Sequence, residues 1–224
     1  MIDHDGRPLH LTWNYSRAEV IADAVVHAIG IMLALIGGIV LVWLAARLTG
    51  PAETAAVAIY AAGLVALWFS SAAYNLWPVS RTKWLLRRVD HALIFVLIAA
   101  TYTPFVTQLP SGPTSTALLV GVWMVALAGV VLKVALPGRF DRLSIVLCLL
   151  LGGSGALVYD TVAAALPAST VGLMVAGALV YTIGVAFHVW DGLRFQNAVW
   201  HSFVLVASGL FYSAILDGVV LVTS

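Results

Sequence analysis

The chain has 224 residues, 62% of them hydrophobic, and its 11 basic and 10 acidic residues make only 21 charges. At the usual quarter of charged residues a soluble domain of this length carries about 56, so a soluble globular protein is excluded. A net charge of +1 offers no basic surface to nucleic acid, and the lone Cys148 excludes an intrachain disulfide and a cysteine zinc cluster.

Seven apolar stretches follow one another, each long enough to cross a hydrocarbon layer about 30 Å thick. They predict an all-α, seven-helix membrane bundle with spans near 20–46, 54–77, 90–109, 114–136, 143–163, 169–190 and 197–222. Turn chemistry marks the breaks at Thr49-Gly50-Pro51, Trp77-Pro78, Pro110 to Pro113, Pro137-Gly138, Leu166-Pro167 and Asp191-Gly192. Residues 1–19 read as an N-terminal tail and 20–222 as one membrane domain, with no segment large enough for a separate soluble catalytic core. His4, Asp5, His10 and Glu19, ahead of an apolar stretch longer than a signal-peptide core, argue against a cleavable signal.

Before span one, Arg7 and Arg17 are basic; after span two, Arg81, Lys83, Arg87 and Arg88; after span four, Lys133, Arg139 and Arg142; before span seven, Arg194. These segments share one side of the membrane, and only Arg47 falls on the other. The positive-inside rule then predicts a cytoplasmic N-terminus and an external C-terminus for a multi-pass membrane protein. Ser16 and Glu19 read as a capping box opening span one. Trp13, Trp77, Trp84, Trp190 and Trp200 read as an aromatic belt, and the segment 81–88 as lying along the headgroups. Gly30, Gly37, Gly38, Gly152, Gly153, Gly155, Gly177 and Gly184 read as sites of close helix packing. The two lysines, Lys83 and Lys133, exclude a retinal Schiff base in span seven.

An ionisable side chain inside a span costs roughly 2.5 to 3.5 kcal/mol, so each asks for a partner or a task. Span one carries Glu19, Asp23 and His27 four residues apart, on one stripe. Span two brings Ser71 and Asn75, span three Asp90 and His91, span six His188, and span seven Asn197 and His201. All fall in the same half of the membrane, whereas the other half holds only Asp160 and Asp217, near interfacial water. One reading is a water-filled pocket open to the cytoplasm, in which Asp23, Asp90 and His201 perform acid–base work or hold a cation. The other is a structural hydrogen-bond network joining helices, with Glu19 as a cap and His91 and His188 solvated near the interface.

The runs Glu19 to Gly30, Ser71-Ala-Ala-Tyr74-Asn75, Asp90-His91 with Ala-Ala-Thr101-Tyr102-Thr103-Pro104-Phe105, Tyr181 to His188, and Asn197-Ala-Val-Trp200-His201 resemble the bacterial hemolysin III family. That family is grouped with the progestin and adipoQ receptors and, more distantly, the alkaline ceramidases. The resemblance implies a seven-helix fold and, in relatives, a zinc ion held by one histidine near the end of span two and two histidines opening span seven. It also implies catalytic roles for Ser71, Asp90 and His201 in a zinc-dependent lipid amidase, with Asp90 accepting a proton and Ser71 stabilising an oxyanion.

Of the three ligand positions only His201 matches; the other two are Asn75 and Asn197. A catalytic zinc commonly has three strong protein ligands, and an amide oxygen suits hard cations better. Either the site is emptied of zinc, or His27, His91 or His188 supplies replacement nitrogens. In the first case Asn75 and Asn197 bond each other or His201, and the expected function is a lipid-binding or lipid-related membrane protein with membrane lipids as partners. The alternatives are a metal-dependent amidase with substitute histidines and a pore; no span carries a polar stripe along its whole length, which suits a closed pocket better than a channel.

Overall fold

The computed structural model describes residues 14–136, 138, 140–190 and 192–222. Of the sequence readings, those on His4, Asp5, Arg7, His10, Trp13, Pro137, Arg139 and Asp191 lie outside them.

Helix α1 runs Arg17–Leu48 and opens on the expected capping box, with the Glu19 amide donating to Ser16 Oγ and the Ser16 amide to Glu19 Oε2. Helices α2 (Pro51–Leu76) and α4 (Pro113–Ala135) each begin with a proline, whose missing N–H is no loss in a first turn. Between them α3 spans Arg81–Val106, opened by Ser80, whose hydroxyl accepts from the Lys83 amide. The fifth span is broken: α5 (Asp141–Gly153), a 3₁₀ turn at Ser154–Val158, then α6 (Tyr159–Ala165). Helix α7 covers Ala168–His188, and α8 (Gln196–Ile215) ends in a π turn at Leu216–Leu221. Counting the broken fifth span and the α8 extension as one each, seven helical segments among the described residues are long and apolar enough to cross a membrane.

Helix α1 packs between α2 and α8, α2 against α3, α3 against α4, and α7 against α8. Small residues set the close approaches. A Cβ on Gly30 would run into the Trp68 indole, and one on Gly177 or Gly184 would meet Phe211 or Phe203 at 2.9 and 2.7 Å. Gly152 and Gly153 do not follow this pattern, since nothing lies within 4 Å of a Cβ built there; they lie instead where the fifth span leaves α-geometry.

That span touches its neighbours lightly, with 6% of its apolar window buried against 56% for the third. The Tyr102 phenol of α3 holds the break, donating toward the carbonyls of Leu151 (3.1 Å) and Gly152 (2.9 Å) and accepting from the Gly155 amide (2.8 Å) and Ser154 Oγ (3.1 Å). Around it, Pro104 breaks the helical ladder, and the hydroxyls of Thr101, Thr103 and Thr107 donate to the carbonyls of Leu97, Ala99 and Pro104.

The segment 81–88 is not an interfacial strip. It forms the first two turns of α3, with Lys83, Trp84 and Arg87 buried in the bundle. The Lys83 ammonium donates to the carbonyls of Tyr74, Asn75 and Trp77, at 2.8, 2.9 and 2.9 Å, capping the end of α2. Trp84 therefore leaves the aromatic belt. So does Trp200, which packs against His188 and Tyr181, whereas Trp77 and Trp190 stay exposed.

Candidate functional site

Four of the expected residues meet in one buried circuit across three helices. His27 Nδ1 lies 2.8 Å from the Asp23 backbone carbonyl, and His201 Nδ1 lies 2.6 Å from Asp23 Oδ1. Both oxygens only accept when the carboxylate is ionised, so each Nδ1 carries the hydrogen and each Nε2 is free to accept. The two Nε2 atoms converge on Ser71 Oγ, at 3.0 and 3.3 Å. One hydroxyl hydrogen serves one of them, leaving that point able to take a further proton or a cation. The Trp68 indole walls the cluster edge-on against His27.

The two asparagines sit beside this circuit. Asn75 Nδ2 donates to the Ser71 carbonyl at 3.0 Å and lies 3.3 Å from its hydroxyl, and Asn197 Nδ2 donates to Asn75 Oδ1 at 3.4 Å. The pair thus ties α2 to α8 directly. Glu19 does more than cap: its Oε1 accepts from the Phe195 amide at 3.1 Å, where Phe195 stands in the left-handed region with φ 60°, and so fastens the start of α8 to α1.

Asp90, His91, Asn75, His188, Asn197 and His201 line a cavity of about 1550 Å³, larger than the roughly 300–1,000 Å³ of pockets for drug-sized ligands. Asp23, His27 and Ser71 do not line it; they lie behind its wall, so the expected pocket divides into a lined face and a buried backing. Nor is the cavity confined to one half of the bundle. Along α3 it reaches from Arg87 to Val106, 19 residues or about 28 Å at the helical rise. Every acidic, basic or histidine lining side chain stands at one end, the basic end, with Arg87, Lys133, Arg142 and Arg194. Beyond them the wall is mainly apolar, including Leu64, Leu97, Phe105, Leu109, Val171, Met174 and Phe211, with scattered hydroxyls such as Tyr60, Thr101 and Ser208.

Sequence reading missed Tyr15, which lines the basic end and whose phenol partial burial raises above the ordinary range. It also missed Arg87, Lys133 and Asp141, whose ion pairs join α3, α4 and α5. At the opposite end, Asp217 accepts from Ser169 (2.7 Å) and Thr170 (2.6 Å), tying α8 to α7 in addition to any contact with water.

The donor chemistry separates two candidate metal positions. At the ligand positions implied by the resemblance, two of three side chains are amides bonded to one another, which does not fit zinc. One turn deeper, Asp23, His27 and His201 offer a carboxylate and two imidazoles whose donor atoms lie within 4.8 Å of one another, the one such group among the described residues. His91 and His188 are not part of it.

Residues 17–212 match the family model described as Haemolysin-III related. The chain is 33% identical to the Hemolysin-3 homolog of Bacillus subtilis (strain 168) over 198 residues, covering 88% of this chain and 93% of that protein. It is 29% identical to Hemolysin-3 of Bacillus cereus, over 88% and 90%, and 30% identical to the Monocyte to macrophage differentiation factor of Homo sapiens, over 88% and 83%. No solved structure matches. Together with the seven apolar helices, these likenesses make the chain a multi-pass membrane protein that belongs to the haemolysin III-related family.

Proposed function

We propose that this chain binds membrane lipid in the long cavity and that its ancestral metal position has been given over to helix pairing. The carrying observation is the cavity itself: charged and histidine side chains at one end only, and a mainly apolar shaft filling the rest of its length of about 28 Å. This is the polarity profile of an amphiphile, head at one end and chains along the rest. An ion path asks for polar lining throughout, which argues against a pore. The basic cluster supports a cytoplasmic position for this end and hence a cytoplasmic N-terminus, in a bacterial inner membrane. Lipid extracted from protein purified in mild detergent and counted by native mass spectrometry tests the reading. A stoichiometric lipid, lost when Leu97 and Met174 are both changed to tryptophan to fill the shaft, is expected; a cavity that holds no lipid in either form would refute it.

One observation favours a second reading, a metal-dependent lipid amidase: the Asp23, His27 and His201 donor set. When bound there, a zinc ion would activate water toward an amide carbonyl. His27, His201 and the Asp23 carboxylate would hold it, with Asp90 placed on the cavity wall to take a proton. Amide cleavage of an N-acyl lipid, abolished by His27→Ala, would support this reading over simple binding.

A further inference from the structure

We propose that the basic end of the cavity is a seat for a phosphate oxyanion carried by a lipid whose chains fill the shaft. This rests on the lipid-binding reading and adds to it the charge of the headgroup. Arg87 and Lys133 are both buried, at 7% and 6% exposure, and both end on the single carboxylate of Asp141. Arg87 Nη2 lies 2.9 Å from Oδ2 and Lys133 Nζ lies 2.7 Å from Oδ1. Each carboxylate oxygen is therefore taken by one cation, and among the described residues neither cation has a second carboxylate within ion-pair distance.

Two buried cations on one anion leave a local surplus of positive charge, which Asp90, one turn from Arg87 on the same cavity wall, offsets only from beyond ion-pair distance; such a surplus is unfavourable in a membrane protein unless something matches it. The donors to match it are present. Guanidinium carries five N–H groups in a fork that fits a phosphate, and ammonium carries three; one nitrogen of each residue is engaged with Asp141. All three residues line the cavity, and Arg142 and Arg194 stand exposed at its rim. A phosphate reaching Arg87 and Lys133 lies at the mouth of the apolar shaft, where a lipid-borne one places its chains inside. Free phosphate shares the oxyanion but leaves the shaft without an occupant.

The test uses delipidated full-length protein titrated with three lipids of identical chains: phosphatidic acid, phosphatidylcholine and diacylglycerol. Inorganic phosphate is added separately, and binding is read by native mass spectrometry and tryptophan fluorescence. Phosphatidic acid is expected to bind about tenfold tighter than diacylglycerol, the ratio one charge-assisted hydrogen bond supplies, with phosphatidylcholine, whose phosphodiester also presents an oxyanion, between the two. Lys133→Gln, which removes the surplus charge, should shrink that preference to about twofold, and Asp141→Asn, which enlarges the surplus, should raise it. Equal affinity for all three lipids overturns the anion seat and leaves the lipid-binding reading standing; binding of none overturns both. Inorganic phosphate that displaces phosphatidic acid at equal concentration overturns the lipid-borne source. The headgroup series in the unaltered chain decides the matter even where a variant fails to fold.

Discussion

Tyr102→Phe removes one oxygen and should loosen the fifth span at its break. The phenol has one hydrogen and two lone pairs, and it is surrounded by two carbonyls, one amide and one hydroxyl of the 151–155 segment. With the Ser154 hydrogen shared between the phenol and the Leu151 carbonyl, Tyr102 makes about two to three hydrogen bonds at once, worth roughly 0.5–1.5 kcal/mol each. Little else holds this segment, with 6% of its apolar window buried, and lipid supplies no replacement donors. A local loss of about 2 kcal/mol follows, which corresponds to amide exchange roughly 30 times faster. Hydrogen exchange of residues 152–158 in nanodiscs measures it directly, with α3 as internal control. Exchange unchanged within about twofold would refute the assignment of Tyr102 as the pin. A uniform rise across the bundle would show a global defect and refute it equally.

Other consequences follow from particular contacts. Asp23→Asn removes the charged acceptor of His201 and should lower stability by about 1.5–3 kcal/mol, read as a fall in the detergent melting temperature; an unchanged melt would deny that the circuit is formed. Gly30→Ala forces a Cβ into the Trp68 indole and should cost about 1–3 kcal/mol. Gly152→Ala, where a Cβ meets open space, should be neutral or stabilising by up to about 1 kcal/mol, and equal losses in the two would contradict the packing described. With the cavity-lining Cys148 changed to alanine, Asn75→Cys, Asp90→Cys and His201→Cys should react with water-soluble thiol reagents from the basic side. Ser71→Cys, behind the wall, should not; labelling only of Ser71→Cys would reverse the picture of face and backing.

Periodicity and turn residues made the seven spans legible, and the Ser16–Glu19 cap closed as its spacing predicts. The two asparagines were also legible: they stand four residues from Ser71 and His201, and they do bond each other. The start of α3 was not. Cations in a loop read as lying along the headgroups because their protein partners are invisible in sequence; Arg87 finds Asp141, 54 residues on, and Lys83 finds carbonyls at the end of the preceding helix. The shaft was hidden for a different reason. A leucine facing a cavity, a neighbouring helix or a lipid has the same letter, so hydropathy marks the span and not which of its faces encloses space. Tyr102 was visible within its motif, yet its partners lie about 50 residues away along a helix whose break was masked by its apolar composition.

The proposal that a helix-pairing amide couple stands in place of zinc ligands is tested most directly by the metal content of the purified protein beside an Asn75→His, Asn197→His double variant. One zinc per chain in the double variant and none in the unaltered chain is the expected result. One zinc per chain in both, lost on His27→Ala, would contradict it and place the metal on the deeper imidazoles.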